Sequence, residues 1–539
     1  MSSISNNGVA YSHLEIEAAA PGLPLVILFA DGDRRVRRPY AALRAADCNH
    51  VLLRPAGKGW YHDGVPGLGA TIEETAASLR RVVEALQPDR IVTFGASVGG
   101  YAAIVFGSLL QADRIVALSA ELQLMLPGSR SVKDLTATPR KFADLLPHLQ
   151  DRSPGSVWLA ASESEIVELY GAVRAAALPA VQAVALRNTA HLSVASLEGG
   201  EGCVPILEAA LNDETMPPIA DAGDLLNDRT AVDAAFEAHC LLIEKRGAEA
   251  ERHAALAVER RVDWPLAQHL LGRVKSLLGR DIDAEAAAGR AAVLDPTQAL
   301  FLHHHGLTLA RLGRHAEAAE AQQAAIDRGF AGPWAYHHLG VARYRSGDHV
   351  GAEAAHRAAS ERRPKSPLFQ HHLAIALVAL GRLAEAELAA RAATELSGEN
   401  GDYLRQLARI LRAQGRKDEA ERVLDEAESI DPSGTSPAEV SAEAPQAPQP
   451  PVVEIPASVA ELLERHQVAL AQQLQDRQDE AAAVPQWADA TDPPSAPRVD
   501  TQAEQPAPDD DTPAKDTPAE PLIDLPASVV EILSRVPRR

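Results

Sequence analysis

A 34-residue period governs the centre of this 539-residue chain. Glycine recurs at Gly279, Gly313, Gly347, Gly381 and Gly415. Small residues keep step at Gly272, Gly306, Gly340, Ala374 and Ala408, and again at Ala284, Ala318, Ala352, Ala386 and Ala420. Each unit closes at Pro296, Phe330, Pro364, Gly398 or Pro432. Small side chains at fixed places let two antiparallel helices approach closely, and the glycine joins them. One such pair cannot bury its apolar face alone, so neighbouring pairs must stack into a continuous helical array. A fainter unit precedes these, with Ala238 and Ala250 in phase and Gly247 two positions out. The period therefore predicts an all-α superhelix of about six repeats over residues 230–433.

These columns, with Leu271-Gly272 and Leu339-Gly340 at the small-residue motif, resemble the tetratricopeptide repeat (TPR) family. The resemblance implies a concave groove for a protein or peptide partner. One column is unusual: His269, His303, His337 and His371 share a repeat position, and His304, His338 and His372 share the next. Successive helices pack roughly 8–10 Å apart, and no carboxylate or cysteine joins the column, so no metal site is expected. Two readings remain: a protonatable wall facing an acidic peptide, or copies of one ancestral repeat. Arg273, Tyr344, Arg345 and Arg409 are further candidate groove contacts.

Before the repeats, short apolar runs alternate with amphipathic ones. Strands are expected at 13–17, 24–30, 49–54, 90–94, 114–119, 156–161 and 181–186. Helices are expected at 37–46, 72–86, 98–110, 134–149, 166–177 and 204–211. Continuous apolar strands separated by helices predict a mostly parallel sheet covered on both faces. Within this pattern Ile91-Val92-Thr93-Phe94 leads into Gly95-Ala96-Ser97-Val98-Gly99. A strand turning sharply into a helix leaves Ser97 exposed at the sheet's carboxyl edge. His191 follows the last expected strand, and Glu163 and Glu165 follow the one before it. The order serine, acid, histidine suits a nucleophile, an orienting carboxylate and a general base.

Residues 1–212 thus resemble the α/β-hydrolase superfamily through Gly95-Ala96-Ser97-Val98-Gly99 and His191. The resemblance implies an oxyanion hole from the backbone N–H of Val98 and a second N–H near Asp31 or Gly32. It departs from the family in offering two glutamates rather than an Asp after the strand, and in lacking a His-Gly-rich loop after Ala30. The loop Trp60-Tyr61-His62 is similar to one in bacterial hydrolase-like proteins that accompany polysaccharide-modifying genes. Its aromatics are candidates either to stack on a substrate or to cover the sheet edge.

Residues 213–229, with Pro217-Pro218, read as a linker. From Ser433 onward there are 19 acidic and 7 basic residues in a Pro/Ala/Gln-rich tail, part of a net charge of −22. Such a balance excludes general nucleic-acid binding, and the tail composition predicts disorder over 434–539. Within it, 454–465 is echoed by 524–535. Ser458 with Glu461 and Ser528 with Glu531 form capping boxes. Val459, Leu462 and Leu463, like Val529, Ile532 and Leu533, make one apolar stripe. This is the pattern of a duplicated docking helix, for a second partner or for the protein's own repeat groove. Three cysteines without metal spacing, no signal pattern and no membrane-length apolar run lead to the expectation of a cytoplasmic protein. No cofactor is implied. The sequence thus describes a serine hydrolase of ester or thioester bonds tethered by repeats. Its alternative is a non-catalytic scaffold with a degenerate hydrolase-like domain, possible links to polysaccharide synthesis included.

Overall fold

The structure, a computed structural model, describes residues 3–6, 9–17, 19–31, 47–135, 139, 141–189, 191, 204–219, 221–397 and 400–431. The expected helix at 37–46 and the tail with its segments at 454–465 and 524–535 lie outside these residues. So do the apolar positions Val459, Leu462, Leu463, Val529, Ile532 and Leu533.

The N-terminal part is an eight-stranded sheet. Its strands are β3 (Leu14–Glu17), β4 (Leu25–Phe29), β5 (Asn49–Leu53), β6 (Ile91–Ala96), β7 (Arg114–Leu118), β8 (Val157–Ser162), β9 (Val181–Leu186) and β10 (Ala222–Gly223). They lie in the order β10-β9-β8-β7-β6-β4-β5-β3. The six from β5 to β9 run parallel; β3 and β10 close the two edges antiparallel. A separate hairpin, β1 (Ser3–Asn6) with β2 (Val9–Ser12), precedes them, ahead of the first strand expected from the sequence at 13–17.

Alternation along the strands decides which layer each residue joins. Leu25, Ile27 and Phe29 face α1 (Ile72–Leu86) and α2 (Val98–Leu109). Val26 and Leu28 face the opposite layer, with Phe94, Trp158 and α5 (Val204–Leu211). Helix α1 begins on Thr71, whose side chain accepts the Glu74 N–H, and packs the stripe Ile72, Leu79, Val82 and Leu86 inward. The helix expected over 134–149 is instead α3 (Arg130–Asp134) and a 3₁₀ turn at Leu146–Leu149. Phe142 between them has φ 58°, which no helix interior allows. Helix α4 (Ile166–Ala175) follows β8.

Six antiparallel helix pairs follow. They are α6 (Arg229–Ile243) with α7 (Gly247–Arg260), α8 (Pro265–Leu277) with α9 (Asp281–Leu294), and α10 (Ala299–Arg311) with α11 (His315–Asp327). Then come α12 (Pro333–Arg345) with α13 (His349–Arg362), α14 (Pro367–Ala379) with α15 (Leu383–Ser397), and α16 (Gly401–Ala413) with α17 (Lys417–Ile430). The first helices of successive pairs touch one another and so line one face of the array. All five periodic glycines have φ between 72° and 90°, the left-handed turn that a side chain disfavours. In the faint first unit that place falls to Lys245, at φ 60°, which is why the glycine column has no member there.

The segment read as a linker is partly built into the sheet. β10 pairs with β9, and Leu225 is buried in a core shared by the two parts of the chain. That core holds Ile166, Leu169 and Val173 of α4 with Val232, Phe236 and Trp264 of the first repeats.

The turn after β6 is packed backbone against backbone. A Cβ on Gly99 would stand 2.1 Å from the Phe29 carbonyl oxygen, whereas one on Gly57 meets nothing within 4 Å. Gly99→Ala should therefore cost about 2 kcal/mol or more by overpacking, and Gly57→Ala less than about 0.5 kcal/mol. Urea unfolding followed by tryptophan fluorescence measures both; equal effects would contradict the packing described.

Candidate functional site

Four parallel strands deliver polar residues to one sheet edge: Asp31 after β4, Ser97 after β6, Glu163 and Glu165 after β8, and His191 after β9. Ser97 has φ 57° and ψ −122°, a strained geometry for a residue with a side chain. It is buried at the N-terminus of α2, whose first amides, Val98 among them, have no acceptor within the helix.

Arg130, on α3, meets the serine. Its Nη1 donates to Ser97 Oγ at 2.9 Å, pairs with Asp31 Oδ1 at 3.3 Å, and its Nε lies 3.4 Å from Asp134 Oδ2. The loop holding Arg130 is fixed by Glu121, which accepts the Arg130 and Ser131 backbone N–H groups.

The carboxylate bonded to the histidine lies one helical turn beyond Glu165. His191 Nδ1 bonds to Glu168 Oε1, on the first turn of α4. Glu163 turns away: its carboxylate accepts the Leu225 N–H at 3.4 Å and lies 3.8 Å from Arg187 Nε. Glu165 sits at the N-cap of α4, where burial and the neighbouring Glu168 charge raise its pKa. Burial opposes charge on His191, but the bond to Glu168 and the charges of Glu168, Glu165 and Asp31 prevail and raise its pKa. His191 Nε2 has no hydrogen-bond partner among the described residues. Serine and histidine are thus on one edge but not joined, and Arg130 occupies the contact with the hydroxyl.

The aromatic loop is core rather than surface. Trp60 and Tyr61 are each 1% exposed. The Tyr61 hydroxyl donates within reach of the Ala30 and Leu53 carbonyls, and Trp60 Nε1 reaches Asp134 Oδ2 at 3.4 Å. Stacking on a substrate does not fit this burial; covering the sheet edge does. His62, half-buried, lies 3.0 Å from the Tyr101 hydroxyl. Arg130 and Glu168 had no motif to announce them. The one available signal for Glu168 was its place three residues after Glu165, one turn into the same helix.

In the repeats the histidine columns form one chain of rings. His269 stacks on His304 at 4.5 Å, His303 tilts on His338 at 5.3 Å and His337 meets His372 at 4.7 Å. His371 continues to Tyr403 at 4.7 Å. His356, on the second helix of its pair, joins His337 and His372. Burial, then neighbouring imidazoles and arginines, holds His304, His337 and His356 down to about 3 and His338 and His372 to about 4. His269 and His303 are also lowered, burial first. Tyr344 packs on His349 of its own pair, and Arg345 is exposed at the end of α12. Among the described residues, no group of three or more His, Cys, Asp or Glu is arranged to hold a metal ion. No helix among them is long and apolar enough to cross a membrane.

The class of protein defined by the second half is a helical-repeat protein, built on a tetratricopeptide pattern. Residues 403–433 match the family model of the tetratricopeptide repeat. The chain is similar to the solved structure of YrrB, titled a TPR protein with an unusual peptide-binding site, at 19% identity. That likeness covers 33% of this chain and 93% of YrrB, with a TM-score of 0.31. It is similar to MamA at 18% identity, over 30% of this chain and 95% of MamA, with a TM-score of 0.29. For PilF of Pseudomonas aeruginosa the identity is 16%, over 38% and 94% of the two chains, with a TM-score of 0.33. No curated protein sequence matches the chain.

The imidazole chain has a consequence for stability. These histidines are neutral in the fold, while the unfolded chain protonates them near pH 6.5. Below that pH the unfolded state binds protons that the folded state refuses. Stability is therefore complete above about pH 6.5 and lost progressively as pH falls toward the depressed values of about 4 and 3. Melting curves should show the midpoint falling steadily from pH 6.5 to pH 4.5, with a shallower fall in His304→Phe/His338→Phe. An unchanged slope in that variant would contradict the neutral ladder.

Proposed function

We propose that this protein is a protein-interaction scaffold whose repeat array holds a peptide segment of a partner along the face made by the first helices. The observation that carries the reading is the array itself. Six stacked helix pairs present a continuous lining face, and the tetratricopeptide match lies at its C-terminal end. On that face Arg273 makes no ion pair or hydrogen bond among the described residues, while arginines elsewhere, such as Arg246, Arg382 and Arg416, are paired. The tail segments 454–465 and 524–535 are proposed as docking helices for a second partner or for such a groove. Panning a random dodecapeptide library on the full-length protein should yield binders. Hydrogen exchange should then show the leading peptide protecting α8, α10, α12, α14 or α16. Failure to select any binder, or protection confined to residues 1–212, would reject the scaffold.

A second reading, hydrolysis of an ester or thioester, has support of its own. Ser97 combines strain, a helix N-terminus and a contacting guanidinium, and Glu168 orients His191 on the same edge. In this reading Ser97 is the nucleophile and His191 the base. Glu168 is the acid in preference to Glu163 or Glu165, because it alone bonds the imidazole. Val98 and the backbone at Asp31 are the oxyanion donors. Catalysis then requires Arg130 to yield the hydroxyl to His191, since a base must be within hydrogen-bond reach of the proton it takes. A fluorophosphonate probe should label the wild-type protein and fail on Ser97→Ala. Folded wild-type protein that resists labelling would leave the α/β domain a binding module.

A further inference from the structure

Helix α6 has two faces with different neighbours. On one, His239 packs against Gly128 so closely that a Cβ there would stand 2.2 Å from its Nε2. Gly128 belongs to the loop that carries Arg130 to Ser97. On the other, α6 and the turn after it form a wall of a cavity of about 650 Å³ that extends to α8, α9 and α10. Leu242, Lys245, His269, Arg273, His304 and Leu307 line it, and no carboxylate does.

The lining is built for a negative group. Arg273 and Lys245 have no ion-pair partner among the described residues, although the neighbouring Lys275 pairs with Glu251 at 2.7 Å. Arg273 is half-buried, and burial pushes its guanidinium below its ordinary value. A half-buried guanidinium without a partner is matched by a carboxylate that accepts two of its N–H groups. His269, 2% exposed, and the stacked His304 each leave Nδ1 without a hydrogen-bond partner. Both rings are neutral, so each can still donate or accept one bond. Leu242 and Leu307 add an apolar flank, which suits an acidic side chain followed by an aliphatic one.

We propose that this cavity is the seat of an acidic, leucine-type segment of a partner protein. Arg273 and Lys245 hold its carboxylate, and His269 and His304 bond its remaining polar atoms. The proposal rests on the scaffold reading and is independent of whether Ser97 is a nucleophile. Its location matters because α6 is bound into the α/β domain through the shared core, so a partner seated here is held at the end of the array packed on that domain.

The test uses the peptides selected on the full-length protein. Wild-type protein should enrich Asp or Glu next to Leu, Ile or Val, and Arg273→Glu should lose that enrichment. For the leading peptide, Lys245→Gln, and separately replacement of its acids by amides, should each raise Kd at least about tenfold, the size of one charge-assisted contact. Melting curves identify any variant that has lost its fold, in which case Lys245→Gln and the amide peptide decide alone. Binders without acidic enrichment, or enrichment that survives Arg273→Glu in folded protein, overturn the seat while leaving the scaffold intact. No binders at all overturn both.

Discussion

The indole of Trp264 donates to the backbone carbonyl of Glu163 at 2.8 Å, and the contact around that bond joins the α/β domain to the repeats. Trp264 starts the second repeat; Glu163 follows β8, at the sheet edge that carries Ser97 and His191. Beside the bond, Tyr170 of α4 lies between Phe236 of α6, at 3.8 Å, and the guanidinium of Arg174, which pairs with Asp233 at 2.8 Å. Leaving that buried carbonyl without a donor would cost about 1–3 kcal/mol, besides the lost packing. Repeat proteins ordinarily bury their end units with a polar cap. Here the first unit is covered by α4, so the α/β domain is the cap.

The same contact bears on the serine edge. Helix α4 is held from behind by α6 and holds Glu168 against His191 in front. Thr297, from the turn before α10, reaches the Asn188 carbonyl in the loop leading to His191. Glu168 and His191 are therefore fixed from the side of the repeats, while Ser97 is fixed by the sheet and by Arg130. The two halves of the edge have separate supports, which is how Ser97 and His191 lie on one edge without a bond between them.

The strands and the 34-residue period were legible because each obeys a strong periodicity. Leu25 to Phe29 must be buried on both faces, and the glycines mark left-handed turns. Ser97 was legible because only a glycine-flanked residue fits between Phe29 and α2. What escaped was set by tertiary contact. Arg130 sits just before the stretch read as a helix over 134–149, and a single guanidinium reaching across to another loop leaves no local trace. Glu163 and Glu165 stood where an acid was expected. Their directions are decided by Leu225 and by the start of α4, however, and the carboxylate bonded to His191 is Glu168, further along. Lys245 took a glycine's conformation without a glycine's signature, which hid the phase of the first repeat.

The histidine columns carry the last step. Imidazole is close in size and shape to an aromatic ring, and in this array it fills the space between first helices as Phe301, Phe330 and Phe369 do beside it. A phenyl ring would pack as well and cost no desolvation. What an imidazole adds is a nitrogen, and in His303 that nitrogen is used: Nδ1 bonds to Gln322 at 2.7 Å. At His269, His304, His337, His338 and His371 the Nδ1 has no partner among the described residues, and of these rings His269 and His304 line the cavity with Arg273 and Lys245. That cavity lies at the end of the array that packs on the α/β domain through α6.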